Sequence, residues 1–222
     1  EVADISNLVR MIGHDYFNGE VTVTSANGHG NHYTYIIHAK GQEIFFRSDD
    51  GKVDDDYMDA EVAAMELVAS RGVCVPKVYH CDTSMSKYPI RFQLMEKVLG
   101  KSMNILDQNR TLDRKSVGRQ LGRMLARMHD IKLDGFGFFD TDTLRREGRI
   151  VGLDPSNEAY FFKKLDDHLR FLQDHAFLSH EQVWEIERLI EKHAYLLKLE
   201  QGSVVHKDIA FWNMIGTENK IH

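Results

Sequence analysis

The segment Ser203-Val204-Val205-His206-Lys207-Asp208-Ile209-Ala210-Phe211-Trp212-Asn213-Met214-Ile215 constrains this chain more than any other. Its apolar ends predict two short strands, and its centre a turn carrying His, Asp and Asn at fixed spacing. That spacing has a chemical use. Phosphoryl transfer to a hydroxyl needs a carboxylate that accepts the attacking group's proton and a neutral oxygen donor for a metal, both on one rigid loop. Asp208 suits the first part and Asn213 the second, with His206 as an internal brace. Another His-x-Asp, His80-Cys81-Asp82, has Lys87 at the fifth place after its Asp and lacks the full set. On the loop alone a plainer alternative stays open, a polar hairpin with a buried His and a turn Asp.

A chain of 222 residues can form one large or two small domains with a proper core. Apolar residues at 42% and charged residues at 28% are ordinary for a soluble globular protein. Against 34 acidic residues stand 28 basic ones, and the net charge of −6 argues against a nucleic-acid or anionic-membrane binder. Two cysteines, Cys74 and Cys81, make no disulfide framework and no zinc spacing, so a reducing cytoplasm is the default expectation. The apolar run from Val62 to Ala69 is interrupted by Glu66, and none is long enough to span a membrane. The chain opens at Glu1 without a Met and stops at Asn219-Lys220-Ile221-His222, in the middle of an expected hairpin, so it reads as a fragment.

In chain order, Ile5, Leu8, Val9 and Ile12 space out a short amphipathic helix. Three strands follow at about 20–24, 33–38 and 43–47, separated by the turn-rich stretch 27–32 and by Lys40-Gly41-Gln42. Gly28 and Gly30 would let backbone N–H groups approach a phosphate, although an ordinary hairpin turn reads as well. His29 and His32, without acidic or thiol company, read as loop residues rather than metal ligands. The acidic stretch 49–59 is expected to be a solvated loop. A helix over 59–71 carries Glu61 in its first turn, where a carboxylate favours the helix dipole. Gly72 to Pro76 then leads to an apolar strand, Ile90 to Leu99. Val117, Leu121, Met124, Leu125 and Met128 form the core stripe of a helix over 112–131. Residues 133–152 read as a loop, Asp154-Pro155 as the start of a helix running to about His175, and Ser179 with Gln182 as a capping box for another. That last helix is expected to turn Val183, Ile186, Leu189, Ile190 and Leu197 inward.

The His206 loop, taken with this ordered series, resembles the aminoglycoside phosphotransferase-like small-molecule kinases, relatives of the protein kinases. The resemblance implies an α+β, bilobal protein-kinase-like fold, with an antiparallel β lobe over residues 1–96 and a mostly helical lobe over 97–222. It implies that Gly28, Gly30 and Asn31 cover the nucleotide and that Arg47 meets its phosphates. Glu61 would pair with Arg47, Met95 would be the gatekeeper, and the Glu96 carbonyl and Val98 amide would carry the adenine. Asp208 would be the catalytic carboxylate and Asn213 the metal ligand, with ATP (or GTP) and Mg²⁺ as cofactors. His129, ending the Leu125-Ala126-x-x-His129 motif, is structural in this family. The acceptor would be a small-molecule hydroxyl. Residues 131–200 are net acidic, which is compatible with a cationic aminoglycoside, while choline, homoserine, a sugar or a macrolide stay open. Nucleic acid and membrane are not expected partners.

Three departures stand out. Lys207 occupies a place where the small-molecule kinases usually have Gly. Ala210 replaces the Lys of serine/threonine protein kinases, against a protein substrate. A second metal-binding carboxylate is expected just past His222. A strand starting at Ile215 without its hairpin partner would expose an edge, from which a strand-exchanged dimer is expected. The alternative function is a catalytically silent kinase-like scaffold binding nucleotide or a partner protein.

Overall fold

The computed structural model describes residues 4–26, 32–49 and 57–222. Helix α1 (Ile5–Phe17) begins where Asp4 accepts hydrogen bonds from the Ser6 and Asn7 amides. It runs past Ile12 to Phe17, then stops at Asn18 in the left-handed conformation. Its buried Leu8, Val9 and Ile12 pack on a sheet. At Gly13 a Cβ would lie 2.9 Å from the Ile37 side chain, so only glycine allows that approach. The helix is also tied at its outer side. The Lys87 ammonium and the Tyr88 hydroxyl hold the Asp15 carboxyl down at about 2.

The sheet is antiparallel, in the order β1 (Thr22–Ser25), β2 (His32–Ala39), β3 (Gln42–Asp49), β5 (Phe92–Glu96), β4 (Val78–Asp82). The β2–β3 hairpin closes through Lys40 and Gly41, both at positive φ, as a two-residue turn matching the strand twist requires. Cross-strand partners share a face of a sheet. Ile37 opposite Ile44, and Phe46 opposite Leu94, therefore build one face, the core under α1. Phe46 and Phe92 stack there with centroids 5.8 Å apart. Arg47 opposite Gln93 belongs to the other face, which meets helix α2 (Met58–Ala69). Asp49, expected in solvent, ends β3 at 8% exposure with Arg91 3.6 Å away.

After β5 come β6 (Lys101–Ser102), α3 (Met103–Gln108) and α4 (Arg114–His129). Met103, Leu106 and Val117 from these elements join Met214 and Ile221 in a second core. The end of the described chain is a three-stranded sheet in the order β12 (Lys220–Ile221), β11 (Ile215–Thr217), β6. This corrects two expectations. The second apolar strand begins only at Ile215, because 211–213 is a 3-10 turn. Strand β11 has both edges filled, Gly216 opposite Ile221 and Ile215 opposite Ser102, so the edge invoked for strand exchange is occupied.

By backbone contacts the chain parts into two compact units, Glu1–Met128 with Val205–His222, and His129–Val204. The second unit holds β7 (Lys132–Leu133), β8 (Phe136–Phe139), α5 (Thr141–Glu147), β9 (Gly152–Asp154), α6 (Asn157–Phe162), α7 (Leu165–Asp174), α8 (His180–Lys192) and β10 (Gly202–Ser203). The stretch read as loop at 133–152 contains α5, capped by Asp140, and most of the β8–β9 pair. Gly135 has φ +75 and a Cβ there would fall 2.4 Å from the Gly152 carbonyl oxygen, so glycines make that pairing. The long helix expected from Pro155 is two helices. Ser156, not Pro155, sits at its start and caps α6, and the run breaks at Lys163 and Lys164 before α7. The Ser179–Gln182 capping box of α8 is formed in both directions. Val183 is buried on α8, whereas Leu189, expected inward, is 51% exposed. Among the described residues no helix is long and apolar enough to cross a membrane.

Candidate active site

Two groups of side chains carry chemistry. The first is built on the sheet face opposite α1. Arg47 projects from β3 and its Nη2 donates to Glu61 Oε2 at 2.7 Å and Oε1 at 3.0 Å. Neither residue is fully exposed; the Arg47 side chain is 22% and the Glu61 side chain 41% accessible. A doubly accepted N–H of this length is charge-assisted and fixes the guanidinium against α2. The expectation that these two residues form one ion pair thus has its geometry. Gln93, fully buried beside Arg47, donates from Nε2 to the Met58 carbonyl at 2.9 Å. That bond ties the first turn of α2 to β5 and so places Glu61.

Cys81 lies opposite Gln93 in the β4–β5 register. Burial first, then the carboxylates of Asp59, Asp82 and Glu61, push its thiol up to about 11. This side of the sheet stabilises a cation and suppresses a thiolate, as a cluster of carboxylates around partly desolvated space should.

At the end of β5, Met95 is buried at 6% exposure and Glu96 reaches solvent. The Glu96 amide donates to the Lys77 carbonyl at 2.7 Å, and its carboxylate accepts from the Lys77 amide at 3.1 Å. Lys97 pairs with Glu43 across the sheet, and Val98 is partly buried just beyond. Gly100 follows at φ +131, where a Cβ would fall 2.5 Å from the Gly216 carbonyl oxygen. The strand leaving β5 therefore runs backbone to backbone against the strand that follows Asn213. Gly28, Gly30 and Asn31 lie outside the described residues.

The second group is the loop 205–214. Phe211 and Met214 pack into the α3–α4 core, and the Met103 amide donates to the Met214 carbonyl at 2.9 Å. Anchored this way, the loop presents Asp208, Trp212 and Asn213 to solvent. Asn213 Nδ2 donates to Asp208 Oδ2 at 2.8 Å and to the Asp208 carbonyl at 3.1 Å. The five-residue spacing is thus a closed ring in which the amide holds the carboxylate. His206 Nδ1 accepts from the Asp208 amide at 3.3 Å, so the histidine braces the turn although it is exposed, not buried. Lys207 has φ +63. A left-handed residue here is the physical reason a glycine suits this place, and the lysine adopts the same backbone with strain.

The donor set for a divalent cation is small. Asn213 turns its NH₂ toward Asp208, which leaves its amide oxygen and the Asp208 carboxylate as oxygen donors. Among the described residues no group of three or more His, Cys, Asp or Glu is arranged to hold a metal ion. Two oxygens fit Mg²⁺ only as part of a shell completed by phosphates and water, its ordinary habit. Arg47 with Glu61, and Asp208 with Asn213, share no hydrogen bond or ion pair across the two groups among the described residues.

Two residues near the first group were not singled out by sequence. In the sequence Gln93 reads as one residue of an apolar strand, and His32 reads as a loop histidine. Alternation from Arg47 through the hairpin places His32 on Arg47's face, a signal available once the β2–β3 register is known.

A family model described as APH, phosphotransferase enzyme family, matches residues 22–221. No curated protein matches the chain. Among solved structures the chain is similar to a candidate fructosamine-3-kinase from Haemophilus somnus 129PT, with 16% identity and a TM-score of 0.58 over 96% of this chain and 69% of that one. It is also similar to a candidate aminoglycoside phosphotransferase from Ralstonia eutropha JMP134, with 22% identity and a TM-score of 0.42, over 57% of this chain and only 38% of that one. The first likeness shows the fold, α+β and protein-kinase-like. With nine-tenths of its length matched and its Arg47–Glu61 and Asp208–Asn213 pairs formed, the chain belongs to the APH family of phosphotransferases.

Proposed function

We propose that this protein transfers the γ-phosphoryl group of ATP, or GTP, to a hydroxyl of a small molecule. The observation that carries the reading is the Asp208–Asn213 ring, which fixes a carboxylate in an exposed turn with Oδ1 left for a substrate. In this reading Asp208 orients the acceptor and takes its proton as the oxygen attacks the γ-phosphorus. The bond from phosphorus to the β–γ bridging oxygen breaks, and the nucleoside diphosphate leaves. Arg47, held by Glu61, clamps the phosphates. Gly28, Gly30 and Asn31 would cover them, Met95 would border the base, and the Glu96 carbonyl and Val98 amide would bind its edge. Asn213 would hold Mg²⁺ through its amide oxygen, in a shell completed by phosphates and water, and the ion would supply charge neutralisation to the phosphates when bound.

The nucleotide-binding lobe is proposed as residues 1–96 and the helical lobe with the catalytic loop as 97–222, in a cytoplasmic protein. An aminoglycoside-type cation is the acceptor class we favour, from the net negative charge of residues 131–200. The test is a screen of hydroxyl acceptors with labelled ATP and GTP in the presence of Mg²⁺, alongside isothermal titration of each Mg-nucleotide. Labelled acceptor is the expected product. Absence of Mg-nucleotide binding at millimolar concentration contradicts the reading.

A further inference from the structure

Arg47 has a second contact on the side away from strand β4. His32 opens β2, two residues before Thr34, the cross-strand partner of Arg47, so the two side chains share a face as diagonal neighbours. His32 Nε2 lies 3.3 Å from Arg47 Nη2, the same nitrogen that donates to Glu61. A guanidinium only donates, so the imidazole atom facing it must offer a lone pair. That requires a neutral ring carrying its proton on Nδ1. The charged groups around the ring are Glu61 from α2, Arg47, and Asp49, directly opposite His32 on β3 and 3.6 Å from Arg91. His32 Nδ1 and Arg47 Nε are both buried without a hydrogen-bond partner among the described residues. Two buried donors without acceptors beside a fixed cation are a defect in a resting protein, and an oxyanion satisfies them.

We propose that His32 is a positioning residue for Arg47. Glu61 fixes the guanidinium from the helix and His32 fixes it from the hairpin, so its remaining donors are held for a phosphate of the bound nucleotide. The strand that begins at His32 follows directly on residues 27–31, and the imidazole thereby couples the start of β2 to the phosphate-side cation. This rests on the reading of Arg47 given under Proposed function.

The experiment is a double-mutant cycle read by isothermal titration of Mg-ATP, with melting curves to verify folding. His32→Leu should weaken binding about tenfold, the ordinary effect of deleting a hydrogen bond to a charged group. His32→Gln puts an amide oxygen near the Nε2 position and should restore affinity to within about twofold of wild type. In an Arg47→Met background His32→Leu should have no further effect. Equal weakening in both backgrounds, or none in wild type, overturns the proposal. A ligand-free measurement separates this from the parent reading. Imidazole ¹⁵N shifts should show His32 as the Nδ1–H tautomer in wild type and a changed tautomer balance in Arg47→Met. An Nε2–H ring in wild type overturns the proposal even where nucleotide binds. Absence of binding with the Nδ1–H ring intact refutes the nucleotide reading and leaves the Arg47–His32 contact standing.

Discussion

The Arg47 cluster and the Asp208 loop solve the same problem, fixing a polar side chain, by opposite means. Arg47 is held from a distance: Glu61 and His32 come from two other elements, Gln93 on a third ties down the helix that carries Glu61, and the cluster sits on a partly buried sheet face. Asp208 is held locally, by residues two before and five after it in the chain, in a turn open to solvent. Partial burial raises the strength of each contact and the cost of breaking one. Local ring closure costs little chain entropy and tolerates exposure. On the proposed reading, a phosphate clamp can be rigid and buried at its base, whereas a carboxylate that takes a proton from the acceptor must be reachable.

The largest effect that tests this contrast is on the exposed loop. Asp208→Asn keeps the shape of the ring and removes the proposed base, so turnover should fall by about 10²–10⁴ with nucleotide affinity nearly intact. Near-wild-type turnover would remove Asp208 from the mechanism. Next comes the chemistry of the two cysteines. With its thiol pushed up to about 11, Cys81 should alkylate about a hundredfold more slowly than an ordinary thiol at pH 8, before shielding is counted. The exposed Cys74 is open to the reagent and should carry label first, which mass spectrometry of the alkylated peptides shows. Equal labelling would mean that the sheet face opens readily.

Arg47→Met should then weaken Mg-nucleotide binding by about thirtyfold, the scale of one charged hydrogen-bonding partner, or about 2 kcal/mol. A change confined to turnover would instead place Arg47 in the transition state alone. Gln93→Leu strands the Met58 carbonyl in a buried setting and should destabilise the fold by about 1–3 kcal/mol in urea denaturation. Loss of nucleotide affinity in the same variant would show that Glu61 depends on the bond. The smallest effect belongs to Lys207. Lys207→Gly relieves a left-handed side-chain conformation and should stabilise by up to about 1 kcal/mol. Should turnover collapse in that variant, the lysine contributes more than its backbone.

Much of this was legible in advance wherever the determinant was short-range. The 3.6-residue period gave α1 and α4, the strict sequence of strands and turns gave the antiparallel hairpins, and Ser179 with Gln182 gave the start of α8. The family resemblance paired Arg47 with Glu61, and the structure supplies the bond. Period alone misplaced Leu189, which matches an inward stripe yet stands exposed, because periodicity says that a face exists and not what covers it. The stretch 133–152 hid a helix and a strand pair because its glycines serve close backbone approach as well as loops.

What the sequence by itself determined is the local order of the chain. Helix and strand periods, caps, two-residue turns and the five-residue Asp208–Asn213 ring all rest on interactions within a few residues, whose geometry the backbone dictates. What only the tertiary structure decided is which side chains from distant elements share a face. His32 became a partner of Arg47 through the β2–β3 register, Gln93 a tether for α2 through the β3–β5 register, and β11 a central strand through β6, more than a hundred residues earlier. The reason is that side chains alternate along a strand with a period of two, so a one-residue change in register would send each of them to the other face. That register is set by the packed core as a whole and not by any one segment of it.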